Sequence, residues 1–189
     1  MEWYTAAERF TEALASSDPT PGGGAAAAQT GAMGCALLLM AIGTTLKRKE
    51  LDVAVRAQLE VSAKRLGSLK NELKTYVQQD GEAYAGYLTA KRLPKEDPSK
   101  EAALQKALEL AARVPANTAS TALQVLRELE EIKTNIAPII MSDVLCARYL
   151  LQTTIRCSVE NIRANMAFIR DEKLLEKLDK QIQLFLKSS

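Results

Sequence analysis

The sequence contains no histidine. Catalytic arrangements that need an imidazole, such as Ser-His-Asp triads and HExxH zinc sites, are therefore excluded. Acid–base chemistry must fall to carboxylates, lysine, tyrosine or water. Cys35, Cys146 and Cys157 have no paired spacing, which argues against a disulfide framework and a thiolate zinc site. We therefore expect no metal and no cofactor. The N-terminal residues also lack the basic start and apolar core of a signal peptide, so we expect a cytoplasmic location.

An excess of one charge is also missing. The 25 Lys and Arg residues nearly balance the 23 Asp and Glu residues, for a net charge of +2. A chain with so little net charge has no broad cationic surface, so we expect neither nucleic acid nor membrane as a partner. Aromatic residues make up only 5% of the chain, whereas good helix formers such as Ala, Leu, Lys and Glu dominate. These features predict one all-α domain over residues 1–189.

Apolar residues recur at helical spacing along the chain and predict a bundle of six or seven helices. Two positions affect the helix count. Gly81 interrupts a long amphipathic segment, which is either one helix or two joined ones, and Pro115 is expected to end a helix. The helices that we predict cover about residues 3–16, 25–43, 50–93, 99–115, 116–133, 142–168 and 172–186.

The second of these segments, residues 25–43, is almost entirely apolar. Its length approaches that of a membrane span, but Ala and Gly make up most of it. This composition favours a central helix buried on all sides. It also brings more apolar surface than one small bundle easily hides, so we expect a homodimer.

A proline- and glycine-rich turn, Pro19-Thr20-Pro21-Gly22-Gly23-Gly24, leads directly into that helix. Three glycines at a helix start expose backbone N–H groups and a partial positive charge. The pattern lacks the Lys-Ser/Thr pair of a nucleotide-binding P-loop. Pro21, Gly22, Gly23 and Gly24 are therefore candidates for holding an anion or an electron-rich heterocycle.

A polar stripe follows on the long segment. Asp80, Tyr84, Tyr87 and Lys91 stand at i, i+4, i+7 and i+11, so one helix face carries a carboxylate, two phenols and an ammonium group. From spacing alone, both a structural stripe and a functional site are open. Weaker polar signals, each also readable as a helix cap or an interhelical contact, come from Asn135, Ser142, Asp143, Asn161 and Asn165.

In this order, the glycine turn with its Ala-rich helix, Asp80-x-Glu82-Ala83-Tyr84, Lys91-Arg92-Leu93-Pro94-Lys95 and Val114-Pro115 resemble motifs of the formiminotransferase-cyclodeaminase C-terminal domain family. Ser142-Asp143 and Asn161-x-x-x-Asn165 extend the resemblance over nearly the whole chain. One departure is Ala25, which stands where the family usually has Ser. The resemblance implies an all-helical, dimeric enzyme acting on tetrahydrofolate derivatives.

The resemblance also implies functions and roles. Methenyltetrahydrofolate cyclohydrolase is the first expectation and formiminotetrahydrofolate cyclodeaminase the second, while a non-catalytic dimeric scaffold is a further alternative. Asp80 is the candidate general base, and Tyr84 and Lys47 are candidates for hydrogen bonding or proton delivery. The candidate substrate-binding residues are Pro21, Gly22, Gly23, Gly24, Arg48, Lys91, Arg92, Asn135, Ser142, Asp143, Asn161 and Asn165.

Overall fold

The computed structural model describes residues 2–188. They form six α-helices and two short 3₁₀ helices, with no strand in that range, as the all-α prediction requires. The 3₁₀ helices, Lys133–Asn135 and Pro138–Ile140, lie between α4 and α5. The α-helices are α1 (Glu2–Ala15), α2 (Gly23–Leu46), α3 (Val53–Arg92), α4 (Lys100–Ile132), α5 (Met141–Met166) and α6 (Glu172–Lys187).

Helices α2 to α5 make a four-helix bundle. Helix α2 packs on α3 and α5, and α4 packs on the same two, so α2 and α4 face each other across the core. Leu38, Leu73, Leu129 and Ile155, one from each helix, are fully buried there. Helix α6 covers α4 and α5 with the apolar face of an amphipathic helix.

Small residues let α2 lie close to its neighbours. A Cβ added at Gly34 would lie 3.1 Å from the Ala147 carbonyl oxygen and 3.1 Å from Leu151 Cγ. The prediction of an Ala/Gly-rich central helix in the core is therefore confirmed, but the expectation that it is buried on all sides is wrong for the single chain, since Met33 and Met40 are exposed. The helix is also long and apolar enough to cross a membrane, but 56% of its most apolar window is buried inside the bundle. The face of α2 that carries Met33, Ala36 and Met40 is exposed to solvent in the single chain.

Helix α3 continues without a break through Gly81. A mid-helix glycine costs about 1 kcal/mol relative to alanine. Leu73 and Ala83, which are buried on either side of Gly81, hold the helix against the bundle. Packing therefore outweighs local propensity, and the polar stripe lies on one uninterrupted helix.

The prediction that Pro115 ends a helix is wrong, because α4 runs through it. Proline cannot donate to the carbonyl four residues earlier, which is that of Ala111. Asn165 Nδ2, from α5, donates to this carbonyl oxygen at 3.1 Å. A side chain from the next helix thus supplies the hydrogen bond that the proline removes, and α4 is one helix rather than two.

Helix α1 differs from the rest, since none of its residues is buried. Phe10, Ala13 and Leu14 are half-buried, whereas Trp3 is 68% exposed and Tyr4 59%. Isolated helices of this length are marginal in water. The apolar stripe of α1 is thus largely uncovered in the single chain.

Candidate active site

A cavity of about 300 Å³ opens where α2 begins. The start of α2 closes one side, and α3, α4 and α5 provide the walls. Its volume is at the lower end of the range found for small-molecule sites. The lining residues are Pro19, Thr20, Gly22, Gly23, Gly24, Asp80, Ala83, Tyr84, Tyr87, Leu108, Ala111, Asn161, Ala164, Asn165 and Phe168.

Asp80 lies directly against the glycine turn. Its Oδ2 accepts a hydrogen bond from the Ala25 backbone N–H at 3.0 Å. A Cβ on Gly24 would lie 2.6 Å from Asp80 Cγ and closer still to Oδ1, distances that real Cβ atoms do not reach. Only glycine therefore allows this approach. The Ala25 side chain is itself buried, so residue 25 contacts Asp80 through its backbone rather than through a hydroxyl.

Burial raises the pKa of the Asp80 carboxyl above its ordinary value, and the Ala25 N–H bond opposes this only in part. No Lys or Arg side chain lines the cavity beside it. A carboxylate with a raised pKa is a stronger base than an exposed one, and a cationic ligand beside it would restore the ionised form. The site is thus electrostatically suited to an electron-poor or cationic group.

Two tyrosines extend the wall from Asp80 along α3. The ring centroids of Tyr84 and Tyr87 are 6.4 Å apart. The Lys91 ammonium lies 5.7 Å from the Tyr87 ring centroid, at the outer end of the same stripe. With Leu108 and Phe168 opposite, the cavity offers apolar and aromatic surfaces for a flat ring.

The two asparagines of α5 reach the cavity from the other side. Asn161 Nδ2 donates to the Cys157 carbonyl at 2.8 Å, and Asn165 Nδ2 donates to the Asn161 and Ala111 carbonyls at 2.8 and 3.1 Å. Asn165 therefore uses both of its N–H donors on backbone acceptors, and Asn161 uses one of its two. The Oδ1 oxygens remain as acceptors for N–H groups of a ligand.

The structure places a second set of sequence candidates elsewhere. Lys47 and Arg48 follow the last residue of α2, about 35 Å along the helix axis from Gly23. Asn135 donates to Gln58 Oε1 at 2.9 Å near that same end, and Ser142 and Asp143 lie in the first turn of α5. Within one chain, none of these residues reaches the cavity. Their role in substrate binding therefore stays a prediction.

Three further candidates flank the site without lining it. Lys91 and Arg92 are exposed in the last turn of α3, and Pro21 lies in the turn behind Thr20. Sequence reasoning missed much of the wall: Leu108 and Ala111 from α4, and Ala164 and Phe168 from α5. Small and apolar residues carry no local signal of a site, because their role depends on which helices become neighbours.

Fold and cavity together define an all-α protein with a half-buried acid at a glycine-lined helix start, facing a cavity with apolar and aromatic walls. The family model described as formiminotransferase-cyclodeaminase matches residues 6–184. The chain therefore belongs to that family. It is 32% identical over 182 residues to a methenyltetrahydrofolate cyclohydrolase of Methylorubrum extorquens, covering 93% of this chain and 86% of that protein.

Other similar proteins are named as cyclodeaminases. The chain is 28% identical to the formimidoyltransferase-cyclodeaminase of Sus scrofa, covering 95% of this chain but only 34% of that longer protein. The crystal structure of a formiminotetrahydrofolate cyclodeaminase from Thermotoga maritima superposes with a TM-score of 0.87 at 26% identity, covering 96% of this chain and 88% of that one. This chain therefore has the same fold as the Thermotoga maritima cyclodeaminase.

Proposed function

We propose that this protein is a one-carbon folate enzyme and that it hydrolyses the methenyl bridge of methenyltetrahydrofolate. The Asp80 carboxylate, held on the glycine start of α2 inside an aromatic-lined cavity, is the observation that carries the proposal. The Methylorubrum extorquens relative that bears this name matches the chain over most of both lengths. In this proposal the pterin ring lies between Tyr84 and Tyr87 on one side and Asn161 and Asn165 on the other, all of which line the cavity.

Asp80 acts as the general base in this proposal. It accepts a proton from water as the water oxygen bonds to the cationic bridge carbon, which gives a neutral tetrahedral intermediate. The carbon–nitrogen bond to one bridge nitrogen then breaks, and the proton on Asp80 passes to that nitrogen. The new hydroxyl loses its proton to solvent, which leaves the formyl product. The substrate cation beside the half-buried Asp80 carboxyl favours the ionised form of that carboxyl at the start.

Formiminotetrahydrofolate cyclodeaminase is the second candidate, favoured by the name of the Thermotoga maritima structure. That reaction closes a formimino group onto a neighbouring nitrogen and expels ammonia. It also passes through a tetrahedral carbon between two nitrogens, so the same carboxylate serves either reaction. The methenyl compound is the substrate in one case and the product in the other.

We also infer a cytoplasmic homodimer. The uncovered apolar faces of α1 and α2 support association, since contiguous exposed apolar surface marks an interface. Three free thiols, two of them exposed, suit a reducing compartment. Light scattering at micromolar concentration tests the dimer, and a monomer there contradicts it.

Loss of the methenyl chromophore above the spontaneous rate is the primary test. A formimino substrate that yields the chromophore with ammonia supports the second candidate instead. We expect Asp80→Asn to lower turnover by about 100-fold or more, the usual effect of losing a general base. Circular dichroism of the variant checks that the fold is intact. No turnover of either substrate by the wild-type protein would leave the non-catalytic scaffold as the remaining alternative.

A further inference from the structure

One amide in the cavity wall is held in a single orientation. Asn165 is half-buried on α5, and its Nδ2 donates to the Ala111 carbonyl at 3.1 Å and to the Asn161 carbonyl at 2.8 Å. A carbonyl oxygen can only accept a hydrogen bond, so the amide atom that faces both carbonyls must be the nitrogen. Both N–H groups of Asn165 are therefore used, and the amide presents only its acceptor oxygen to a ligand.

A proline on the neighbouring helix α4 is the cause of this orientation. Pro115 has no N–H, so the carbonyl of Ala111, four residues earlier, receives no hydrogen bond from residue 115. An unpaired carbonyl inside a helix bundle is costly, and Asn165 supplies the missing donor. With any other residue type at position 115, the helix itself would use the Ala111 carbonyl and leave one N–H of Asn165 free.

The oxygen of the same amide is open to the cavity. Within residues 2–188, the hydrogen bonds of the Asn165 side chain all run from Nδ2, and none reaches Oδ1. The buried side-chain atoms without a partner in that range are Glu128 Oε1 and Ser158 Oγ, so Asn165 Oδ1 is not shut inside the protein. Because Asn165 lines the cavity, a ligand there can reach this oxygen.

The asparagine one turn earlier has mixed polarity. Asn161 donates one N–H to the Cys157 carbonyl at 2.8 Å, and so keeps a second N–H as well as its Oδ1. This amide lies against the glycine turn, since a Cβ on Gly23 would be 3.5 Å from both its nitrogen and its oxygen. Asn161 can therefore meet either a donor or an acceptor of a ligand, whereas Asn165 can meet only a donor.

We propose that Asn165 is a specificity residue that accepts a hydrogen bond from a ring N–H or amino group of the substrate, and that Pro115 is the positioning residue that fixes its polarity. The identity of the substrate rests on the proposed function. The pyrimidinone edge of a tetrahydrofolate ring carries an N–H and an amino group, which are donors of the required kind. A ring with carbonyl or methyl groups on that edge leaves Oδ1 without a partner and binds less well.

Turnover of methenyltetrahydrofolate by Asn165→Ala tests the contact with the ring. Loss of one hydrogen bond is expected to raise KM by about 3- to 10-fold. We expect kcat to stay close to the wild-type value, because a contact of equal strength in the ground and transition states affects only KM. Asn117→Ala is the matched control, since this asparagine is exposed on α4 and does not line the cavity. An unchanged KM in Asn165→Ala overturns the proposal.

The double variant Pro115→Ala/Asn165→Ala separates binding from stability. Alanine at position 115 supplies the N–H that the Ala111 carbonyl lacks. Pro115→Ala is therefore expected to raise the urea midpoint more in the Asn165→Ala background than in the wild type. The KM of the double variant stays as high as that of Asn165→Ala, because Oδ1 is still absent. Recovery of the wild-type KM together with the midpoint would show a purely structural role and overturn the proposal.

Two ring analogues test which group Asn165 accepts from. Pterin has the N–H and amino donors on its pyrimidinone edge, whereas 1,3-dimethyllumazine has carbonyl and N-methyl groups on the same bicyclic ring. As competitive inhibitors of the wild type, we expect pterin to have the lower Ki by about 10-fold or more. This ratio is expected to fall in Asn165→Ala and, to a smaller extent, in Pro115→Ala, which frees one N–H of Asn165. Equal Ki values in the wild type, or a ratio that Asn165→Ala leaves unchanged, contradict the assignment.

Failure of the proposed function gives a different pattern. A wild-type protein that turns over neither methenyl nor formimino folate refutes that function, and the identity of the substrate falls with it. The coupling of Pro115 and Asn165 in urea unfolding needs no substrate and still tests the fixed polarity of the amide. Direct titration with pterin, followed by its fluorescence, then replaces inhibition. Wild-type affinity for pterin in Asn165→Ala, or no pterin binding by the wild type, overturns the specificity role.

Discussion

Replacing Gly24 with alanine is the sharpest test of the candidate site. The new Cβ would lie 2.6 Å from Asp80 Cγ and 3.0 Å from Oδ2, where a normal contact needs more than 3.4 Å. The carboxylate must therefore move by about 1 Å, and a misplacement of that size near the reacting atoms costs about 100-fold in rate. We expect turnover of methenyltetrahydrofolate to fall by about two orders of magnitude.

The effect of Gly24→Ala on stability is smaller and has two opposing parts. The Ala25 N–H bond to Asp80 is lost, which costs about 1.5–3 kcal/mol for a charged acceptor. Alanine gains at most about 1 kcal/mol over glycine here, because position 24 is only the second residue of α2 rather than its interior. The net loss of about 1–2 kcal/mol is measurable by urea unfolding and leaves the protein folded.

Two other glycines supply controls. Nothing lies within 4 Å of a Cβ on Gly67 of α3, so Gly67→Ala is expected to keep activity and gain up to about 1 kcal/mol. On Gly23, a Cβ makes ordinary contacts of 3.5 Å with Asn161, so that variant keeps its stability. Equal activity in Gly24→Ala and Gly67→Ala would refute the claim that Asp80 acts from its position on the glycine turn.

Further predictions concern single groups. Burial raises the pKa of Asp80 in the folded state, so its ionisation costs stability as the pH rises through that pKa. The urea midpoint of Asp80→Asn is therefore expected to be higher than that of the wild type at pH 7. The difference between the two midpoints is expected to shrink towards low pH, where Asp80 is protonated, and a constant difference would contradict this explanation. The acid limb of kcat/KM should lie above the ordinary range of an aspartate pKa, because the base must be ionised. Asn165→Ala leaves the Ala111 carbonyl without its donor, and we expect a loss of about 1–3 kcal/mol in urea unfolding; an unchanged midpoint would show that water replaces the amide. Burial raises the pKa of the Cys35 thiol to about 12, so a thiol reagent should label two cysteines in the native protein and a third only after unfolding.

Local patterns in the sequence determined much of this protein. Helical periodicity, the Ala- and Gly-rich run and the missing histidine are properties of neighbouring residues, and they led to the all-α bundle and to carboxylate chemistry. The i, i+4 spacing of Asp80 and Tyr84 was enough to place both on one face, because a continuous helix fixes that geometry. The family motifs pointed to the same residues.

Tertiary structure decided what local pattern could not. Pro115 lies inside a helix because Asn165, 50 residues later, satisfies the carbonyl that the proline leaves free. Gly24 and Asp80 touch because α2 and α3 pack antiparallel, and the same packing carries Lys47 to the far end of the bundle. Sequence spacing holds no information about which helices become neighbours, since that depends on the burial of apolar surface over the whole chain.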